Sequence, residues 1–331
     1  MKLAAFSAGR KNCNTEVFVK EALMAAEELG VEVELYRLND FELHNCSSCS
    51  PQQCPAMFNM DACPYKDDTP FLVDRFLDCD GVLIAGPVYS LTSNSLFFTF
   101  RDRVFGPKMD VAHSRMGHPE APFVKGRFKA RPGALISVGG ALTENWTSLG
   151  LASLYSATFS AQTEVVDHMN VYGIADQGAA TLRPDLLERA RQVGRNLAQA
   201  MLEGDNHWRG GDKGVCPQCH LSLLEIQPGT TKVLCPVCGI YGEIEAHDGK
   251  STIVWPDNHD HRRDNRLTIE GKQVHLEEIM ECVMAFKPHE AEAKENMKKY
   301  IAYDPTVKSP TREAKRAALR EKLLKEKEGQ A

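Results

Sequence analysis

The sequence predicts an α/β fold organised around a doubly wound, five-stranded parallel sheet. Two observations carry that prediction. Strand-like and helix-like segments alternate through residues 2–204, the pattern of a parallel sheet joined by crossover helices. Most of the strand segments are also apolar throughout, as strands are when helices cover both sheet faces.

KLAAFS (2–7) reads as a short buried strand. After a polar loop, TEVFVKEALMAAEELG (15–30) has helical periodicity, with Thr15 as its cap and Gly30 as its stop. VEVELYRL (31–38) alternates like a strand, and a cysteine-bearing loop follows it. TPFLVDRFLDCD (69–80) reads as a helix whose Cys79 is buried, and GVLIAGPVY (81–89) as a buried strand ending in a turn. Residues 93–105 look helical, and 106–131, rich in Gly, Pro, His and Arg, read as an inserted lid. GALISVGG (133–140) is the fourth strand, a helix follows at 146–160, and TEVVDHMNV (163–171) is the fifth strand. RPDLLERARQVGRNLAQAMLEG (183–204) is a long amphipathic helix. In such sheets ligands sit at the carboxyl ends of the strands. The loops to watch therefore follow residues 7, 38, 88 and 139.

GDNHWRGGDKG (204–214) is a linker by composition. It divides an α/β domain, residues 1–205, from a small four-cysteine module at 215–256 and a polar segment with a helical tail at 257–331. In that tail, 276–300 and 310–328 read as helices, the last with a positive excess suited to solvent or subunit packing, and Cys282 falls on an apolar helix face.

Hydrophobic residues make 43% of the chain and charged residues 25%, an ordinary balance for a soluble protein with a sizeable core. The formal net charge of −6 counts against nucleic acid as a partner. The start, MKLAAFSAGRKNCNT, has too short an apolar run for a secretory signal. No run reaches membrane-spanning length, so no membrane role is expected. A cytoplasmic setting follows, where stable disulfides are rare. Eight of the eleven cysteines nonetheless fall into two groups, 46/49/54/63 and 216/219/235/238, and metal or cluster ligation is the leading reading of both.

The first βα loop, SAGRKNCNT (7–15), consists of small and hydrogen-bonding residues at a helix start, where free amides and the helix dipole favour an anion. Arg10 adds a charged fork for a phosphate, and Ser7, Asn14 and Thr15 add side-chain donors. The loop resembles the phosphate loop of the flavodoxin-like NADPH-dependent FMN reductase family, roughly G-S-P-R-x-N-G-N-T. Arg10, Asn12, Asn14 and Thr15 match it, Ser7 and Ala8 stand where Gly-Ser is usual, and Gly9 and Cys13 are further departures. GPVYSLTSNSLFFTFRDR (86–103) is similar to that family's P-V-Y loop, which lies along the flavin ring; Pro87, Val88, Tyr89 and Ser90 match by position. SVGGALTENW (137–146) resembles its third loop, in which Gly139 and Gly140 would let backbone approach the ring, with Asn145 and Trp146 beside them. The resemblance covers residues 1–203. It implies FMN, NAD(P)H as a transient donor, and a homodimer or homotetramer. No side chain stands out as acid or base, with Tyr89 the one candidate proton donor.

Family members called iron–sulfur flavoproteins carry a compact cysteine motif after the second strand and before an acidic pair. Here the loop reads C-x2-C-x4-C-x8-C over Cys46, Cys49, Cys54 and Cys63, and Asp67 and Asp68 fill the acidic positions. Four thiolates on one loop can wrap a 4Fe–4S cluster, hold zinc, or remain free redox thiols. Paired C-P-x-C knuckles, Cys216/Cys219 and Cys235/Cys238, are separated by fifteen residues and flanked by strand-like LSLLEI, TKVL, GEIEA and STIVW. They resemble a zinc ribbon, with rubredoxin-type iron the rival. His220 reads as a turn residue, and His113, His118, His259 and His261 as loop residues.

The functional expectation is an FMN-dependent oxidoreductase that passes electrons from NAD(P)H or a reduced carrier to a small-molecule or protein acceptor. A cluster would couple two-electron to one-electron chemistry. The rival readings are an electron-transfer protein without its own substrate, and a binding module built on the ribbon and basic tail.

Overall fold

The computed structural model describes residues 1–49, 54–57, 59–109, 126–211, 214–256, 262–307, 309–311 and 314. They divide into two units, Met1–Glu277 and Glu278–Ala331. Most of the expected lid, His113, His118, His259, His261 and most of the final helix lie outside the described residues.

The first unit begins with β1 (Lys2–Ser7), α1 (Asn14–Glu27) and β2 (Glu32–Arg37), followed by α2 (Thr69–Asp78) and β3 (Gly81–Tyr89). Next come a two-residue strand β4 (Thr92–Ser93), α3 (Ser95–Phe100), β5 (Arg131–Val138), α4 (Gly150–Tyr155), β6 (Thr163–Val171) and α5 (Pro184–Glu203). Five strands run parallel in the order β2-β1-β3-β5-β6, and β4 folds back antiparallel on the end of β3. The sheet expected from the sequence is therefore the sheet observed.

Alternate strand residues serve two cores. Leu3 and Ala5, with Leu83, Ala85, Ala134 and Ile136, pack under α1 and α5. Ala4 and Phe6, with Val82, Ile84 and Leu135, pack under α2, α3 and α4. Gly194 lets α5 lie directly on α1, since a Cβ there would come within 1.9 Å of the Ala22 carbonyl oxygen. Pro184 opens α5, and Gly204, at φ 68°, closes it with a bond from its N–H to the Ala200 carbonyl.

Two expected helices differ. The helix read over 93–105 is α-helical only to Phe100 and continues as a π-helical turn, Arg101–Phe105, ended by Gly106. The helix read over 146–160 shortens to α4, because Glu144–Trp146 form a separate 3₁₀ turn closed by the Thr147 amide and hydroxyl on the Glu144 carbonyl.

The cysteine module is a four-stranded antiparallel sheet, β7 (Glu225–Ile226), β8 (Lys232–Leu234), β9 (Tyr241–His247) and β10 (Lys250–Val254), in the order β10-β9-β8-β7. It belongs to the first unit. Cys216, Leu221, Val237 and Ile240 join the apolar cluster on the α2–α4 side of the main sheet. After it, α6 (Ile269–Phe286) and α7 (Glu290–Ala302) replace the single helix expected at 276–300, separated by a 3₁₀ turn at Lys287–His289 that contains Pro288.

Candidate flavin and metal sites

The carboxyl ends of β1, β3 and β5 lie side by side, because those strands are neighbours in the sheet. The chain leaves β1 toward β2 on one side and β3 lies on the other, so the loop after β1 sits at the point where strand order reverses. The three loops singled out by sequence therefore share one edge.

The loop after β1 is built tightly. A Cβ on Gly9 would lie 2.9 Å from Thr15 Cβ and 3.0 Å from Cys13 Sγ. Asn39 donates to the Gly9 carbonyl at 3.0 Å and Asn94 to the Ala8 carbonyl at 3.0 Å, fixing the loop from two neighbouring segments. Sequence reading missed both asparagines; their only signal is position after β2 and β3. Asn12 is left-handed at φ 56°. Cys13 is the N-cap of α1 but its side chain caps nothing, which leaves the first amides of the helix for an external acceptor. The Arg10 side chain is exposed and has no hydrogen bond or ion pair among the described residues. Ser7 and Thr15 are buried beneath it. A narrow cradle, uncapped amides and a free guanidinium fit a phosphate monoester such as that of FMN.

Asn14 is different. Its amide donates to the Ile174 and Asp176 carbonyls at 3.3 and 2.7 Å, and its Oδ1 accepts from the Gly178 and Ala180 amides. That side chain ties α1 to the loop after β6, and its hydrogen bonds are already committed within the chain. Behind the cradle, Glu16 is buried in the first turn of α1 and is held by Arg37 Nε at 2.7 Å and Lys20 Nζ at 2.7 Å. The Arg37 hydrogen bond, with Lys20, the Arg37 charge and the Asn12 amide, outweighs burial and lowers its carboxyl to about 2.

The second loop is a strained hairpin. Val88 and Tyr89 pair with Ser93 and Thr92, so Ser90 and Leu91 are the two central residues of the turn, at φ 51° and 75°. Positive φ at both is the geometry of a I′ turn, normally made by Gly or Asn, and two ordinary side chains there are the kind of strain that gathers at functional sites. Tyr89 is 54% exposed at its tip. Ser153 Oγ accepts from the Ser93 amide and holds the hairpin from α4.

In the third loop, Gly139 and Gly140 are required by the chain itself. Cβ atoms there would meet Thr147 Cγ2 at 2.3 Å and Ala175 at 3.2 Å. Asn145 is exposed, as are Leu142 and Trp146.

The cysteine loop between β2 and α2 is tied at its neck. Asp68 accepts from the Glu42 amide at 2.7 Å and Asp67 from the His44 amide at 3.0 Å. Asp67 is also buried against Arg103, whose Nη2 lies 2.9 Å from both carboxylate oxygens. Arg103 Nη1 donates to the buried Cys63 Sγ at 3.0 Å. Cys46 and Cys49 are exposed and Cys54 is half-buried. These four thiols do not converge to the spacing of a single metal ion among the described residues. Among the described residues Cys63 turns inward to Arg103 while Cys46 and Cys49 face solvent. Sequence reading missed Arg103, which sits in the π-helical turn.

The other four thiols converge. Cys216, Cys219, Cys235 and Cys238 are buried with their sulfurs all within 4.8 Å of one another. The Cys216–Cys238 and Cys219–Cys235 pairs are 3.5 Å apart. A tetrahedron with bonds of about 2.3 Å has edges of about 3.8 Å, so the set fits one zinc or iron ion. The two knuckles repeat one geometry. The Cys216 and Cys235 amides bond to the Leu221 and Ile240 carbonyls, and the His220 and Gly239 amides return to the Cys216 and Cys235 carbonyls. His220 (φ 59°) and Gly239 (φ 91°) occupy equivalent left-handed positions. The imidazole of His220 stacks on Trp208 at 4.0 Å, as suits a turn residue. Tyr155, at the end of α4, donates its hydroxyl to the Cys219 carbonyl at 2.6 Å.

A family model described as NADPH-dependent FMN reductase matches residues 1–163. A flavone synthase of Aspergillus candidus is 30% identical over 258 residues, spanning 75% of this chain and 79% of that protein. The chain belongs to the NADPH-dependent FMN reductase family. Like the rest of that family it is a flavin-dependent oxidoreductase with a flavodoxin-like sheet. A solved structure titled flavone reductase matches this family member with a TM-score of 0.74 at 27% identity, covering 94% of this chain and 100% of its own. An iron–sulfur flavoprotein of Methanocaldococcus jannaschii is 34% identical over 90 residues, 27% of this chain and 44% of that protein. No helix among the described residues is long and apolar enough to cross a membrane.

Proposed function

We propose that this family member uses FMN and NAD(P)H to exchange two electrons with the conjugated C=C bond of a flat aromatic ketone of the flavone class. The observation that carries the reading is the shared edge of the loops after β1, β3 and β5, with Tyr89, Leu142 and Trp146 exposed along it. A flat ring has aromatic and apolar surface there on which to stack. The relatives named flavone synthase and flavone reductase support the substrate class, since the chain spans most or all of each.

When bound, the flavin supplies the electron exchange between nicotinamide and substrate. The chain supplies placement. Arg10, Asn12, Cys13 and Thr15, with Ser7, surround the phosphate position, while Asn14 fixes α1 to the loop after β6. Pro87, Val88, Tyr89 and Ser90 form the wall held by the strained turn, and the Gly139–Asn145 loop forms the next. Tyr89 is the side chain at that edge with a hydroxyl able to pass a proton. Cys216, Cys219, Cys235 and Cys238 would hold a metal that keeps the ribbon folded behind α4. No step is routed through a cluster at Cys46, Cys49, Cys54 and Cys63.

The test is anaerobic. FMN-loaded protein is reduced with one equivalent of NADPH, then a flavone is added. Return of the oxidised flavin band together with loss of flavone absorbance supports the reading. Reoxidation by a protein acceptor but by no flavone overturns the substrate class and favours the relay reading. Acid-labile sulfide and iron on the same sample, near four each per chain, would establish a cluster.

A further inference from the structure

The phosphate cradle and the ring wall belong to different stretches of chain, yet one flavin must touch both. Their spacing is either set before the flavin arrives or ordered as it binds, which weakens binding. β1 and β3 are paired as far as Ser7 and Ala85, and the Ala8 amide adds a bond to the Ala85 carbonyl at 2.9 Å. Past that point β3 runs into the hairpin closed by Val88 and Ser93.

Asn94, the residue after the hairpin, supplies a further tie. Its Nδ2 donates to the Ala8 carbonyl at 3.0 Å, while its Oδ1 accepts from the Phe97 amide at 3.2 Å and caps α3. Both polar groups of the Ala8 backbone are thus bonded to the segment that carries the ring wall, one before the hairpin and one after it. Ala8 itself is 1% exposed. The residue type suits this double task. Asp or Ser would cap α3 as well as Asn does. A carboxylate, however, has no hydrogen to give the Ala8 carbonyl, and serine has one short hydroxyl in place of two separate groups.

We propose that Asn94 is a positioning residue that fixes the span between the phosphate cradle and the ring wall, so that FMN engages both ends without reordering the chain. The inference rests on the flavin placement proposed above and not on the flavone as substrate. Asn94 acts through Ala8 and the hairpin rather than by touching the flavin.

The experiment titrates the full-length apoprotein with FMN and with riboflavin, followed by flavin fluorescence. Riboflavin has the ring but no phosphate, so it reads the wall alone. Asn94→Asp and Asn94→Ser both keep a cap on α3 and both remove the amide donor, and the second adds no charge near the phosphate. Each is expected to weaken FMN about five- to tenfold, the scale of one hydrogen bond, and to speed FMN release by a similar factor. Riboflavin affinity and the urea midpoint should stay at their wild-type values. FMN affinity and release unmoved in both variants overturn the proposal. Equal losses of FMN and riboflavin also overturn it, since they mark general damage to the fold. A loss confined to the Asp variant does the same, because charge repulsion then explains it. A wild type that binds neither flavin overturns the flavin placement itself, and the role of Asn94 with it.

Discussion

At the scale of single residues, Asp67 and Arg103 have the most to lose. Both side chains are almost fully buried, and Arg103 also holds Cys63. Burial alone would raise the Asp67 carboxyl. Hydrogen bonds from His44, Thr69 and Arg103 outweigh it and hold the group below the usual carboxylate range. Asp67→Asn keeps the shape but strands a buried guanidinium, and should destabilise the protein by about 3–5 kcal/mol in urea unfolding. A change below about 1 kcal/mol would mean that the pair is not buried in solution. The acidic pair was visible in the sequence as a motif, but its partner was not. Nothing in the string RDRVF marks which arginine turns inward, since that depends on a π-helical turn. The same limit applies to Asn14. Its identity was readable as part of a phosphate-loop pattern, while its commitment to the 174–180 loop comes from a segment 160 residues away.

At the scale of elements, two contacts set the geometry behind the site. The first is α1 on α5 at Gly194. Gly194→Ala would drive a methyl group into the Ala22 carbonyl and should cost about 1–3 kcal/mol, read as a fall in the urea midpoint. The second is the ribbon on α4. Gly150 opens that helix against Ser137 and Val88, Ser153 holds the hairpin, and Tyr155 ends it at the Cys219 carbonyl. Six residues thus join the proposed flavin wall to the four-thiol centre. Stripping its metal should lower the thermal midpoint by on the order of 10 °C and expose four further thiols to a thiol reagent. An unchanged midpoint with the four thiols still protected would show that no metal holds the module. The knuckles themselves were legible, because four cysteines at paired short spacing have few structural solutions. That their module shares the apolar cluster of the main sheet was not, since its apolar residues are too few and too scattered to show which surface they face.

At the scale of the whole molecule, acid stability reflects carboxylates held ionised by the fold. Glu16 is the clearest. Its folded pKa of about 2 lies below the ordinary 4.5. A depressed carboxyl contributes stability that is fully present above the unfolded value and is lost as pH falls toward the folded one. The contribution is on the order of 3 kcal/mol, disappearing between about pH 4.5 and pH 2. Urea midpoints at pH 7, 4 and 3 should fall in that window, and Glu16→Gln should flatten part of the fall. An equal decline in both proteins would place the acid sensitivity elsewhere, with Asp67 and Asp80 the next carboxyls held low.

The sequence by itself determined the parallel sheet, its edge loops and the ribbon, because each rests on local information: apolar runs, turn residues and cysteine spacing within a few residues of one another. Tertiary structure decided the rest. It tied Cys63 and Asp67 to Arg103, and it bonded the Asn14 side chain to the loop after β6. It also ordered the hairpin at Ser90–Leu91. Each of these depends on which distant groups meet and compete for the same hydrogen bond or apolar surface, and that competition exists only once the chain is folded.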